Sequence, residues 1–182
     1  MFITVVQIIL IIISLSIVIS LTHFLFTGNT PSLTSPLLAR EYLLERISLD
    51  KNSVFYDLGC GNSKLLRSLA KKYPNSKFIG VDSSFFSYMF SKLAVSLCRL
   101  KNIDIRFENF LKSDLSSATH IYLWIYVKDI NLLLGKLKKE LKRHTLIYSL
   151  DFPFDDLNPV ETIDLGRKKK FGHTLYIYSV KP

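Results

Sequence analysis

A short apolar run that ends in two glycines constrains the fold of this chain more than any other stretch. Residues 54–64 read VFYDLGCGNSK, and the residues that follow, LLRSLAKK, have helical spacing. A strand, a tight turn and a helix in this order open a parallel α/β sheet. Gly59 and Gly61 let the backbone turn sharply and approach a ligand, and the free N–H groups at the start of the helix point into the same space.

Two kinds of cofactor loop compete for this turn. A dinucleotide-binding loop needs a third small residue where Lys64 stands, and lysine fits that place poorly. The spacing acid-x-Gly-x-Gly-x-small fits better, and its matching residues are Asp57, Gly59, Gly61 and Ser63. This pattern resembles that of class I S-adenosylmethionine-dependent methyltransferases, in which glycine is commoner at the place of Ser63. A turn with a purely structural role is the alternative interpretation.

The second predicted strand ends in an acidic residue whose separation from the glycines along the sequence is typical of adenosine-binding units. Residues 76–82 read SKFIGVD, and Asp82 follows Gly61 by 21 residues. In adenosine-binding α/β units, an acid about 20 residues beyond the glycines binds the ribose hydroxyls. A third predicted strand ends at Asn109, where methyltransferases often place an adenine-binding aspartate. The predicted cofactor-binding residues are Asp57, Gly59, Cys60, Gly61, Asp82 and Asn109, and no metal site is predicted.

The remaining patterns predict a sheet of seven strands. Residues 120–126 are almost continuously apolar, as in a central strand buried on both faces, and 145–150 form the next strand. Residues 160–165 and 173–180 are predicted to pair as an antiparallel hairpin. A mostly parallel sheet with such a hairpin at its end is similar to the methyltransferase topology. The predicted fold class is α/β, a Rossmann-like seven-stranded methyltransferase sheet, preceded by one transmembrane helix.

The transmembrane helix is predicted from the first segment of the chain. Phe2 to Phe26 contain no Asp, Glu, Lys or Arg, and these 25 residues exceed the roughly 20 that cross a bilayer as a helix. A cleaved signal peptide is the rival interpretation, but a basic start, a short apolar core and a small-residue cleavage site are not evident. The sequence therefore predicts a transmembrane helix at 1–27, a linker at 28–36 and a methyltransferase domain at 37–182.

The distribution of charge predicts the orientation and the partners. Basic residues follow the apolar segment, beginning with Arg40, and none precedes it, so the positive-inside rule predicts a single-pass protein with its domain in the cytoplasm. The net charge is +9, and anionic lipid head groups are the predicted partner of this basic surface. Nucleic acid is the alternative partner, and the apolar segment argues against it. Cys60 and Cys98 are too few for a disulfide framework and are predicted to be free.

Several features in one order resemble a narrower family. They are PSLTSP at 31–36, the glycine turn at 57–63, DFPF at 151–154 and TLYIY at 174–178. Together with the apolar segment, they resemble the small membrane-anchored lysine methyltransferases related to the enzymes that modify the ATP synthase c-subunit and the adenine nucleotide carrier. Residues 127–129 lack the Asn/Asp-Pro-Pro-aromatic signature of enzymes that methylate adenine or glutamine amides, which argues against those acceptors.

The resemblance implies S-adenosylmethionine as the cofactor and N-methylation of a lysine on a membrane protein. The alternatives are a lipid or small hydrophobic acceptor, and a membrane-tethered domain without turnover. Methyl transfer depends mainly on positioning and desolvation, and a dry aromatic pocket lowers the pKa of an acceptor lysine.

The candidate pocket residues follow the fourth and fifth predicted strands. They are the aromatic residues Trp124, Tyr126, Phe152 and Phe154, with Asp151 to attract an incoming ammonium. The alternative is that these are core residues at strand ends and a turn aspartate. No catalytic base is assigned.

Overall fold

The computed structural model describes residues 2–27, 35–166 and 172–180. The chain divides into two units, 1–33 and 34–182. The first unit contains one helix, α1 (Phe2–Thr27). In the part of the chain that the structure describes, no helix is long and apolar enough to cross a membrane, so the predicted transmembrane helix is not confirmed. Most of the predicted linker lies outside the described residues.

The second unit alternates strands and helices around a single sheet. Its elements are α2 (Leu37–Arg46), β1 (Val54–Leu58), α3 (Lys64–Lys72), β2 (Lys77–Asp82), α4 (Phe85–Leu97), β3 (Ile103–Phe107), β4 (His120–Leu123), α5 (Val127–Glu140), β5 (Leu146–Leu150), β6 (Glu161–Asp164) and β7 (Thr174–Ser179). The strand order is β3-β2-β1-β4-β5-β7-β6. The first five strands are parallel, and β7 runs antiparallel to both of its neighbours. The predicted seven-stranded, mostly parallel sheet is confirmed.

Helices α4 and α5 begin soon after β2 and β4. Ser84 caps α4 by accepting a hydrogen bond from the backbone N–H of Ser87, so the helix begins at Phe85. The apolar run 120–126 predicts a longer β4, but the strand ends at Leu123 and α5 follows from Val127. Both helices therefore start close to the carboxyl edge of the sheet.

The sheet is covered on both faces, as its continuous apolar strands require. On one face, α2, α3 and α4 pack on Phe55 and Phe78 of the central strands. On the other face, α5 packs on Tyr56 and Ile121. The alternation of side chains along a strand sends neighbouring residues into these two cores.

Gly80 marks the closest approach of α3 to the sheet. A Cβ atom on Gly80 would lie 2.6 Å from Leu66 Cδ1, 2.8 Å from Ile105 Cδ1 and 2.9 Å from Cys60 Sγ. We expect Gly80→Ala to lower the free energy of unfolding by about 1–3 kcal/mol, because extra volume in a packed core forces side chains from their preferred rotamers. Chemical denaturation of the full chain measures the effect.

A second glycine provides the matched control for that substitution. Gly135 lies inside α5, and a Cβ atom there would meet nothing within 4 Å. We expect Gly135→Ala to raise the free energy of unfolding by about 0.5–1 kcal/mol, because alanine loses less backbone entropy in a helix. Equal shifts for the two variants would contradict the packing argument.

Candidate active site

The candidate site lies at the carboxyl edge of the sheet. The strand order reverses between β1 and β4, and ligands of open α/β sheets bind in the crevice at such a switch point. Asp57 lies near the end of β1, and Asp82 is the last residue of β2. Trp124 directly follows β4, and Asp151 directly follows β5. These four residues therefore lie at the same edge of the sheet.

The glycine turn is fastened to the end of β2. The backbone N–H groups of Gly59 and Cys60 both donate to the carbonyl oxygen of Val81, at 2.8 and 3.1 Å. Gly61 donates its N–H to Asp82 Oδ2 at 2.9 Å. Gly59 and Gly61 have φ angles of +82° and +52°, the left-handed region that glycine adopts most readily. These hydrogen bonds fix the position of the turn at the end of β2.

Asp82 presents its carboxylate in a fixed orientation. Its Oδ1 atom accepts the backbone N–H of Ser84 at 2.8 Å, and its Oδ2 atom accepts that of Gly61. The residue is buried, and this burial raises the pKa of Asp82 above its ordinary value. Each carboxylate oxygen has two lone pairs, so each retains one for a further donor. Such an arrangement suits a ligand with two neighbouring hydroxyl groups.

Asp57 is a second buried carboxyl group near the glycine turn. It is buried beneath the glycine turn, and burial together with the charge of Asp82 raises the pKa of Asp57 to about 8. The side chain therefore carries a proton at neutral pH. A cationic ligand in the crevice would favour the charged form of this carboxyl.

Ser63 has the backbone conformation of the glycine that it replaces. Its φ angle is +55°, in the left-handed region, and it directly precedes α3. Its side chain is buried, and its Oγ atom has no hydrogen-bond partner among the described atoms. Cys60 is also buried, and this burial raises the pKa of its thiol, so the side chain stays neutral and fills space in the turn.

Asn109 lies two residues beyond β3 and is exposed. Its Oδ1 atom accepts the backbone N–H of Leu111 at 2.9 Å, which closes a local turn. The N–H groups of its amide therefore provide the donors for any ligand on this side. The predicted contact with adenine stays a prediction.

Ser91 is a site residue that the sequence analysis missed. Its hydroxyl group donates to the carbonyl oxygen of Gly61 at 2.6 Å, and the side chain is completely buried. The signal in the sequence was a lone serine on the inner face of an apolar helix, α4. This bond fastens the glycine turn to a second element besides β2.

Two of the predicted pocket residues, Trp124 and Tyr126, flank a residue that lies beside the glycine turn. A Cβ atom on Gly59 would meet Ile125 Cγ2 at 3.7 Å, which places the segment after β4 beside the turn. The rings of Tyr126 and Phe152 have centroids 6.3 Å apart, and Trp124 is half-buried. Trp124 packs against the core on the side of α2 and α3, and Phe152 packs against the core on the side of α5. The apolar wall that the sequence predicts stays a prediction.

The prediction for Phe154 is wrong. Phe154 is buried in the core, where its ring packs edge-on against that of Tyr178 with centroids 5.1 Å apart. Its backbone N–H donates to Tyr178 Oη at 3.1 Å. The residue is therefore part of the packing beneath the site, because the chain turns inward after Phe152.

Asp151 has a structural role that the sequence analysis did not predict. Its Oδ2 atom accepts from Trp124 Nε1 at 3.0 Å and from the backbone N–H of Gly172. Its Oδ1 atom accepts the backbone N–H groups of His173 and Thr174 at 3.0 and 3.4 Å. The carboxylate thus joins the ends of β4, β5 and β7 and fixes the Trp124 indole. The predicted attraction of an ammonium by this carboxylate stays a prediction.

Comparison with known proteins agrees with this geometry. A family model described as the ANTKMT methyltransferase domain matches residues 57–161. A protein-lysine N-methyltransferase of Saccharolobus islandicus (strain REY15A) is 25% identical over 161 residues, which cover 85% of this chain and 96% of the relative. The family match includes the glycine turn, Asp82 and the ends of β4 and β5.

Solved structures share the fold. An RNA methyltransferase from Salinibacter ruber, in complex with S-adenosyl-L-homocysteine, has a TM-score of 0.74 at 21% identity and covers 82% of this chain and 94% of its own. A SAM-dependent methyltransferase from Aquifex aeolicus has a TM-score of 0.62 at 15% identity and covers 77% of this chain and 88% of its own. At these identities, the likeness concerns the architecture of the sheet and its helices.

Proposed function

The chain belongs to the ANTKMT methyltransferase domain family, and on this premise we propose that it N-methylates a lysine side chain of a membrane protein. It is an enzyme, a class I methyltransferase whose cofactor is S-adenosylmethionine. The observation that carries the proposal is the position of Trp124 and Tyr126, which flank the residue beside Gly59, with the ring of Phe152 near that of Tyr126. We propose that these three side chains line the acceptor pocket. A relative that is named a protein-lysine N-methyltransferase supports the choice of lysine.

The residues at the carboxyl edge fit this cofactor. The two open lone pairs of Asp82 suit the ribose hydroxyls, and the turn at Gly59 and Gly61 gives a close approach. Asp57 is placed to balance positive charge, and Asn109 is the proposed adenine contact. S-adenosylmethionine supplies, when bound, an electrophilic methyl group on a sulfonium.

The residues of the chain position the reacting groups and exclude water from them. An apolar surrounding disfavours an ammonium, so the wall formed by Trp124, Tyr126 and Phe152 lowers the pKa of an acceptor lysine and yields the neutral amine. The bond from Trp124 to Asp151 fixes one side of this wall. Correct placement of the reacting groups supplies a large share of such rate enhancements.

We also propose that the protein is anchored by residues 1–27, with its domain on the cytoplasmic side of the membrane. This proposal is supported by the absence of charged side chains from Phe2 to Phe26 and by the basic residues that follow. The net charge of +9 supports anionic lipids as partners.

Transfer of a labelled methyl group into membrane extracts tests the proposed acceptor. Extracts are incubated with the enzyme, separated into protein, lipid and RNA fractions, and the labelled protein is hydrolysed. Methylated lysine in the protein fraction is expected. Label in the lipid or RNA fraction would identify a different acceptor, and cofactor binding without any labelling would indicate a domain without turnover.

The raised pKa of Asp57 predicts how the free energy of unfolding depends on pH. Its folded-state pKa of about 8 lies above the value of about 4 in an unfolded chain, so between these pH values only the folded state holds the proton. Raising the pH therefore lowers the free energy of unfolding, by about 1.4 kcal/mol per pH unit, until the loss is complete near pH 8. Chemical denaturation of the cofactor-free protein at pH 5 to 8 measures this slope.

Asp57→Asn is the matched control, because the amide imitates the protonated carboxyl. We expect the stability advantage of this variant over the wild type to grow as the pH rises. Parallel pH dependences of the two proteins would show that Asp57 titrates normally.

A further inference from the structure

Helix α4 has an apolar face that nothing in the described structure covers. The helix buries Ser91 and Val95 against the sheet. On its outer side, Phe90 is 65% exposed, Leu93 57% and Leu97 75%, and Met89 is exposed beside them. Their spacing of three and four residues aligns them along one stripe. Large apolar side chains that are contiguous and exposed mark a contact surface.

The stripe continues to the carboxyl edge of the sheet. The rings of Phe85 and Phe107 meet edge-on with centroids 5.9 Å apart, and both side chains are about half-exposed. Phe85 follows Asp82 by three residues. The apolar surface therefore begins beside the cofactor site and extends along the whole of α4.

The charges on α4 and on the turn after it have one sign. Residues 83–103 contain no Asp or Glu, but they contain Lys92, Arg99 and Lys101. All three basic residues are exposed. Exposed Phe, Met and Leu side chains flanked by Lys and Arg are typical of helices that lie in the plane of a membrane interface and meet anionic head groups.

We propose that α4 docks on an anionic lipid surface, with its apolar stripe at the boundary between head groups and acyl chains. A second copy of the chain is disfavoured, because a symmetric contact along α4 would bring Lys92 and Arg99 of both copies together with no acid on the helix. The proposal rests on the proposed membrane association of the chain but does not depend on methyl transfer. Its consequence is that the carboxyl edge of the sheet, where Phe85 and Phe107 meet, lies close to the lipid.

A fluorescent label on the stripe tests this docking in the full chain. The chain is labelled with nitrobenzoxadiazole at Leu93→Cys in a Cys98→Ser background, and Cys60 is buried. The control label is at Leu132→Cys, which is 66% exposed on α5, on the opposite face of the sheet. The protein is reconstituted into vesicles of phosphatidylcholine with phosphatidylglycerol, with and without spin-labelled lipid.

The position 93 label is expected to shift to the blue and to be quenched by the spin-labelled lipid, while the label at position 132 keeps its aqueous spectrum. Lys92→Gln is expected to lower the ratio of docked to undocked protein about fivefold, because each basic residue near such a surface adds about that factor. An aqueous spectrum at position 93, or a blue shift without quenching by lipid, would overturn the proposal. The second result would assign the stripe to a protein contact.

Cofactor binding by the same variants, measured by calorimetry in detergent, separates this inference from the proposed function. Variants that bind S-adenosylmethionine normally but lose the quenching support the docking role of α4. Intact quenching without cofactor binding would count against the proposed function alone.

Discussion

Asp82→Ala is expected to weaken the binding of S-adenosylmethionine by a factor of about 100 or more. A hydrogen bond to a charged acceptor contributes about 1.5–3 kcal/mol, and the substitution removes the acceptor for both proposed ribose contacts. It also leaves the N–H groups of Gly61 and Ser84 without their carboxylate, so the turn loses its anchor to β2. Titration calorimetry of the full chain measures the change.

Asp104→Ala is the matched control for that loss. Asp104 lies on the neighbouring strand β3, its side chain is 45% exposed, and it pairs with Arg106 at the surface. Surface ion pairs contribute little, so this variant should bind the cofactor as the wild type does. Unchanged affinity in Asp82→Ala would remove the central residue from the proposed site.

Asp151→Ala is expected to lower the free energy of unfolding by about 3 kcal/mol or more. The substitution leaves four N–H donors without their acceptor, and each unsatisfied buried donor costs about 1–3 kcal/mol. Asp151 also has a φ angle of +64°, a conformation that costs alanine about 1 kcal/mol. Trp124 is the single tryptophan of the chain, so its emission reports directly on the loss of its partner.

Asp151→Asn separates the hydrogen bonds from the charge. Asparagine tolerates the left-handed region and keeps one oxygen acceptor, so a smaller loss of stability is expected. Asp155→Ala tests a neighbouring aspartate whose carboxylate accepts only from the exposed Asn131 among the described contacts, and it should change little. Wild-type stability and emission in Asp151→Ala would show that the four contacts are dispensable.

The sequence predicted the half of the site that rests on local patterns. Two glycines after an apolar run indicate a strand, a turn and a helix, and the distance to Asp82 follows from the size of one βαβ unit. Asp57 and Asp82 accordingly lie near the ends of adjacent parallel strands. The seven-stranded topology was predictable for the same reason, because each strand has its own apolar signal.

The missed features depend on contacts between distant parts of the chain. Asp151 meets the backbone of Gly172 and Thr174, more than 20 residues away, and nothing local signals that pairing. Phe154 was misplaced because a strand-end aromatic residue can face either a pocket or the core. The partner of Ser91 is 30 residues away, so its role depends on how α4 packs.

The hydrogen bond between Ser91 and Gly61 connects α4 directly to the cofactor-binding turn. The outer side of the helix is exposed. On its inner side, the Ser91 hydroxyl donates to the glycine turn that is proposed to bind the methyl donor. If docking of the helix shifts this bond, the coupling is reciprocal: the factor by which a membrane changes the affinity for the donor equals the factor by which the donor changes the docking.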